Sequence, residues 1–241
     1  YARNRCAPSR SSKTGLEARI TMTMTKRWLG IVALLTLAGG VLWTQAGMDK
    51  RALPDDLRAV VVSAPMKLAP MQLTDHLGRP VTESWFTGRW TFVAFGFTHC
   101  ADVCLATMAQ FGAIKTALAQ RYPATAQPQY GFVSVDPERD TPARLAAFLA
   151  AFDRSFVGMT GTAAQIEALE ASMATFHRKQ SPSASGDYQV SHSGEIFLID
   201  PAGRVYARFV PPLEPAVVAG QLGSIMTFHA RETGQGPASS T

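Results

Sequence analysis

The chain has 241 residues, 46% hydrophobic and 17% charged, a composition that excludes a disordered polypeptide and suffices for one full-sized domain plus a terminal segment. Its 23 basic against 18 acidic residues invite a nucleic-acid reading, but Arg3, Arg5, Arg10, Lys13, Arg19, Lys26 and Arg27 all precede the first long apolar stretch. Without them and Glu17 the body carries 16 basic against 17 acidic residues, which excludes a basic phosphate-binding surface and with it a nucleic-acid partner.

Residues 1–23 are polar and basic without hydrophobic periodicity, and are expected to be a non-native or disordered extension, with Met24 or Met22 as the better start and Cys6 outside the natural protein. Residues 24–48 open with Lys26 and Arg27 and continue from Trp28 to Met48 without a charged side chain, close to the roughly 20 residues that a bilayer-spanning helix needs. The basic flank puts the N-terminal end in the cytoplasm and the rest outside, which predicts a single-pass inner-membrane anchor with its domain on the periplasmic, or equivalent exported, side. A cleaved signal segment is the competing reading, because the most apolar part, 29–42, is short and contains Gly39-Gly40. Residues 49–65, charged and then proline-containing, read as a linker, 66–229 as the folded domain, and 230–241 as a disordered tail.

Within the domain, 71–75 and 80–82 flank a His76-Leu77-Gly78-Arg79 turn and predict a small hairpin. Residues 90–97 (WTFVAFGF) form a continuous apolar run, the pattern of a strand buried on both faces. Val103, Met108, Phe111, Ile114, Ala117 and Leu118 recur at helical spacing until Tyr122-Pro123 ends the pattern. A second buried strand is predicted at 129–136 (QYGFVSVD), and Thr141-Pro142 then starts a helix with proline at its first position. A short strand at 156–160 and a helix at 162–176 follow. After a Ser- and Gly-rich loop, 194–200 and 204–210 read as strands joined by Pro201-Ala202-Gly203, and a last helix as running over 215–228. This order predicts an α/β, thioredoxin-like fold: a central mixed sheet flanked by helices, with parallel central strands and an antiparallel hairpin at one side.

The sharpest chemical signal is Thr98-His99-Cys100-Ala101-Asp102-Val103-Cys104, where a buried strand gives way to a helix. Chemistry in open α/β sheets collects at the carboxyl ends of strands. Residues four apart share a helix face, so the two sulfurs can point the same way, and amides at a helix N-terminus favour the thiolate. Cys100 and Cys104 are too few for a stapled scaffold and suggest site chemistry. A structural disulfide is the alternative, although closing so short a loop constrains the unfolded chain little. His192 lies just before the strand at 194–200, which in a thioredoxin arrangement neighbours the strand leading into the cysteines. Two thiolates and an imidazole suit copper, Cu(I) especially, and would also accept zinc.

The runs FGFTHCADVC, FVSVDPERDTPARL, FVGMTG and HSGEIFLIDPAGRV resemble the Sco/SenC family of copper chaperones for cytochrome c oxidase assembly, in the family's order over roughly residues 69–210. The resemblance implies a thioredoxin fold, copper bound by Cys100, Cys104 and His192, and a copper-accepting subunit of a respiratory oxidase as partner. It also implies a thiol–disulfide role for the Cys100/Cys104 pair. The sequence departs from the family pattern at Ala101 and Leu105, where prolines are common, and at Ser191, where an aspartate often stands.

The other polar candidates have plainer readings. His99 orients the loop or supports the site, and Asp102 starts a helix by accepting backbone N–H bonds. His76, His177 and His229 have no donor cluster near them in sequence and read as surface residues, while Asp136-Pro137-Glu138-Arg139-Asp140 reads as a salt-linked loop or a partner contact. The leading functional expectation is a copper metallochaperone delivering to the CuA centre, a carrier more than a catalyst. The alternative is a thiol–disulfide oxidoreductase that keeps oxidase cysteines reduced. Against a generic enzyme of that kind stand the spacing, one residue longer than C-x-x-C, and a histidine where such enzymes place a proline.

Overall fold

The computed structural model describes residues 34–37, 39–40, 53–100, 103–123, 126–183 and 187–234. Residues 34–37 and 39–40 are helical and belong to a unit ending at Ala52, separate from the unit that begins at Leu53. The expected extension at 1–23 and most of the expected anchor at 24–48 lie outside the described residues. Among the described residues no helix is long and apolar enough to cross a membrane.

From Leu53 onward the strands are β1 (Val61–Lys67), β2 (Leu73–Asp75), β3 (Pro80–Val81), β4 (Thr91–Gly96), β5 (Gln129–Ser134), β6 (Val157–Thr160), β7 (His177–Lys179), β8 (Val190–His192), β9 (Ile196–Ile199) and β10 (Arg204–Phe209). The helices are α1 (Val103–Ala119), α2 (Pro142–Ala150), α3 (Ala163–Ser172) and α4 (Pro215–Thr233). Eight strands form one sheet in the order β1-β10-β9-β4-β5-β6-β2-β3, and β7 and β8 form a separate two-stranded ribbon. As the sequence predicts, β4, β5 and β6 run parallel, and β9 lies antiparallel against β4.

Alternation along β4 sorts its side chains between two cores. Phe92 and Ala94 join Met108, Phe111, Ile114, Leu145 and Leu222, so α1, α2 and α4 cover one face. Val93, Phe95 and Phe97 join Ile166, Leu169 and Met173, so α3 covers the other. Burying each large apolar side chain contributes about 1.5–3 kcal/mol, which is why a strand of this composition takes the centre of the sheet. Local signals place the helix starts: the Thr141 hydroxyl accepts from the Arg144 amide, and Thr162 and Gln165 close a reciprocal capping box. Gly203, with φ of 73°, makes the β9–β10 turn in a region that other residues rarely enter.

Three readings of the sequence are corrected. The segment 49–65 is more than a linker: Asp55–Leu57 is a 3-10 helix and Val61 begins β1, an edge strand paired antiparallel with β10. Gln221 of α4 donates to the Asp56 carbonyl at 3.1 Å, and Leu57 is fully buried in the core. The edge strand is half-exposed and lacks the apolar signal of a central strand, so only tertiary pairing reveals it. The helix read as ending at 228 continues to Thr233, which brings the first residues of the expected tail into α4.

The histidines read as surface residues are drawn inward. His229 is buried between the rings of Trp90 and Tyr206, with centroids at 5.1 and 5.2 Å, and pairs with Asp200 at 3.3 Å. His177 Nδ1 bonds Glu170 at 2.7 Å, and His76 Nδ1 accepts the Gly158 amide at 3.1 Å. Of these partners only Glu170 is near in sequence, so spacing alone could not find most of them.

A linker leucine could be truncated without consequence, whereas the buried one cannot. Leu57→Ala is expected to lower unfolding stability by about 2–5 kcal/mol, read by chemical denaturation as a shifted midpoint at unchanged slope.

Candidate metal centre

Cys100 lies in the loop that leaves β4, and Cys104 is the second residue of α1, 1% exposed. Neither sulfur is in a disulfide, and the Cys104 amide donates to Cys100 Sγ at 3.4 Å. The Cys104 sulfur sits tight against the sheet. A Cβ added at Gly96, the last residue of β4, would lie 3.1 Å from it and 2.7 Å from the Phe132 ring, so glycine there makes room for the thiol.

The imidazole arrives from the ribbon. His192 ends β8, 88 residues beyond Cys104, and its Nε2 lies 3.0 Å from Cys104 Sγ. Its Nδ1 lies 2.8 Å from the Ser193 carbonyl. A carbonyl only accepts, so the network assigns the ring proton to Nδ1 and leaves the Nε2 lone pair facing the sulfurs. Phe97 packs edge-on against the ring at 6.0 Å. One donor atom from each of Cys100, Cys104 and His192 thus falls within 4.8 Å of the others, so the structure brings together all three residues singled out from the sequence.

Electrostatics prepare the two sides differently. Burial pushes the Cys104 thiol far above its usual range, and the neighbouring Cys100 and Asp140 add to the shift. The expectation that a helix N-terminus would favour both thiolates therefore fails for Cys104, because desolvation outweighs it. Burial also holds His192 below the usual histidine value, outweighing the hydrogen bond to the Ser193 carbonyl, which works the other way. The ring is therefore neutral at pH 7, the form that can ligate a metal.

The loop carrying Cys100 is pinned by a residue read from sequence as part of a salt-linked loop or a partner contact. Asp140, fully buried, accepts from the Thr98 amide at 2.9 Å, the Thr98 hydroxyl at 2.5 Å and the Ser134 hydroxyl at 2.6 Å. Hydrogen bonds to a charged group are worth about 1.5–3 kcal/mol each, enough together to hold a buried carboxylate. His99 stands 3.7 Å from the same carboxylate, in keeping with its supporting reading, and Asp102 lies outside the described residues.

His99, Asp136 and Asp140 form a second cluster of potential donors. Its oxygens are already engaged: Asp136 accepts from Arg139 and from the Tyr188 hydroxyl at 2.6 Å, and Asp140 is bonded as above. Arg139 lies 3.7 Å from the centroid of the Tyr188 ring and also reaches Asp187 at 2.9 Å. The Asp136–Asp140 segment is thus a clasp between the end of β5 and the residues leading into β8. Two acids four apart beyond the carboxyl end of a strand were the visible signal for it; Gly96 and Glu170 had none.

A reduced thiol pair facing an imidazole, at the carboxyl end of a parallel strand in this sheet, defines a thioredoxin-like domain equipped to hold a soft metal ion. The SCO1/SenC family profile matches residues 63–227, and the chain belongs to that family. It is 30% identical over 186 residues to a Stutzerimonas stutzeri protein named for copper binding, spanning 76% of this chain and 88% of that one. To the mitochondrial SCO1 homolog of Mus musculus it is 27% identical over 213 residues, spanning 85% and 72%. Two solved structures with copper bound are similar. Bradyrhizobium japonicum ScoI shares 35% identity at a TM-score of 0.58, over 65% of this chain and 97% of that one. Arabidopsis thaliana ScoI shares 27% at 0.59, over 64% and 94%.

The unequal exposure of the two sulfurs has a direct chemical readout. With the chain reduced and metal-free at pH 8, iodoacetamide is expected to modify Cys100 at least roughly tenfold faster than Cys104, measured by peptide mass spectrometry. Equal rates would mean that Cys104 is not held buried against the sheet at Gly96.

Proposed function

We propose that the chain is a copper metallochaperone that binds the ion through Cys100, Cys104 and His192 and delivers it to the CuA centre of cytochrome c oxidase during assembly. The observation that carries this reading is the convergence of two sulfurs and one imidazole nitrogen, from a loop, a helix and a ribbon, within 4.8 Å. Two thiolates and a neutral imidazole form a soft-to-borderline donor set, the kind that favours copper over harder ions. The copper-bound relatives support the choice of metal.

The site's own residues account for loading and release. The buried Cys104 thiol gives up its proton when a cation answers the thiolate charge, so uptake of the ion releases protons. The Ser193 carbonyl fixes the His192 tautomer and keeps Nε2 available, as an outer partner does for a ligating histidine. Release proceeds by ligand exchange: a donor of the acceptor protein replaces one donor at a time, starting from the more exposed side, where Cys100 lies. The copper-accepting subunit of a respiratory oxidase is the partner. Residues 24–48 anchor the chain in the inner membrane with its domain on the periplasmic side.

A second reading has a specific observation in its favour, the two reduced sulfurs of unequal exposure. As a thiol–disulfide oxidoreductase, the chain would use the Cys100 thiolate to attack a client disulfide and form a mixed disulfide. Cys104 would then displace the client, leaving a Cys100–Cys104 disulfide and a client reduced by two electrons.

Titration of the purified reduced chain with Cu(I) and Cu(II), against competing chelators, separates the readings. His192→Ala is expected to weaken copper binding by more than the roughly 10–100-fold that loss of an outer partner costs, while the rate of thiol–disulfide exchange stays near wild type. Wild-type copper affinity in that variant would overturn the three-donor site and leave the oxidoreductase reading in the stronger position.

A further inference from the structure

The ribbon that carries His192 holds a second histidine beside it. In the β7–β8 register His177 faces His192, Arg178 faces Ser191 and Lys179 faces Val190. One step further on, the Gln180 amide donates to the Gln189 carbonyl at 2.8 Å, which makes that pair a hydrogen-bonded one. Counting back, pairs in an antiparallel ladder alternate, so His177 and His192 form a non-hydrogen-bonded pair, the kind whose Cα atoms approach to about 4.5 Å with side chains on one face. At the His192 end that face turns inward: His177 and His192 are half-buried and Val190 is buried, whereas Lys179 opposite Val190 is exposed, as are Arg178 and Ser191 on the other face.

His177 also has the outer partner of a ligating histidine. Its Nδ1 lies 2.7 Å from Glu170 Oε2, and this carboxylate, on α3, is 3% exposed. A carboxylate accepts at Nδ1–H, which fixes the tautomer and leaves Nε2 with the lone pair. Among the described residues no hydrogen bond engages Nε2 of His177. Glu170 Oε1 is buried without a partner, so the bond from Oε2 to His177 is what ties this carboxyl to the ribbon.

We propose that His177 and His192 form a two-imidazole copper site on the ribbon, a station that holds the ion when it is off the thiolates, with Glu170 orienting His177. His177 is no member of the three-donor cluster, so the station is distinct from the thiolate site and shares only His192 with it. Copper passes between them by exchange at one donor: His192 stays bound while Nε2 of His177 replaces sulfur, and no electron is transferred. The inference rests on the copper-carrier reading and adds a route to it.

The test removes the sulfurs. A full-length Cys100→Ser, Cys104→Ser parent is titrated with Cu(II), and its affinity and the number of coupled nitrogens are read by chelator competition and electron paramagnetic resonance. The parent is compared with a variant that adds His177→Asn, whose amide can still donate to Glu170 but has nothing in place of Nε2. The expected result is two coupled nitrogens in the parent, and one nitrogen with at least roughly tenfold weaker binding in the variant. A parent that binds no copper, or a variant indistinguishable from it, overturns the station. Nitrogen-15 spectra of histidine in the parent give an answer that needs no variant to fold: Cu(I) shifts Nε2 of both His177 and His192 if the station exists, and leaves His177 unmoved if it does not. Wild-type chain that fails to take copper with its thiols reduced would instead sink the carrier reading itself, so the two failures are distinguishable.

Discussion

The contact between Cys104 Sγ and His192 Nε2 is the constraint around which the rest is arranged. It joins residues 88 positions apart, and it forms only if β4 delivers its sulfur loop and the ribbon lies across the end of that strand. The loop-closure entropy of such a contact is offset elsewhere, by the two apolar cores that fix β4 between β5 and β9. Phe97 belongs both to the core and to the wall of the site, so the packing that stabilises the fold also sets the position of the imidazole.

Burial gives the site its chemical character. In the metal-free chain it holds Cys104 protonated and His192 neutral, two states that a water-filled cleft would not enforce. A cation that binds there supplies the missing charge and displaces the proton. Two carboxylates that support the site are satisfied from within the protein: Asp140 by Thr98 and Ser134, Asp136 by Arg139 and Tyr188. These buried carboxylates tie loops to the sheet and keep the sulfur loop from following solvent.

Much of this was legible in the chain itself, for physical reasons. Strands β4 and β5 announce themselves because a strand buried on both faces must be apolar throughout, and α2 and α3 because Thr141 and Thr162 cap them locally. Cys100, Cys104 and His192 were identifiable because strand ends and neighbouring loops converge in this topology. What the sequence hid depends on tertiary pairing. Strand β1 is a half-exposed edge whose partner lies more than 130 residues away, and the polar ribbon β7–β8 has no hydrophobic period. His229 looks like a surface residue until Trp90, Tyr206 and Asp200 close around it. Gly96 gives no hint in sequence that a sulfur rests against its Cα.

Among the described residues, the ribbon that presents His192 is hydrogen-bonded to no strand of the main sheet. The two halves of the candidate metal centre therefore answer to separate architectural parts: sulfur geometry is inherited from the scaffold, whereas the nitrogen rides on an appendage with its own fastenings at Glu170 and Tyr188. Lengthening or recomposing that appendage can retune the third donor without disturbing the eight-stranded framework. A designer could graft a different ligand onto the same dithiol platform.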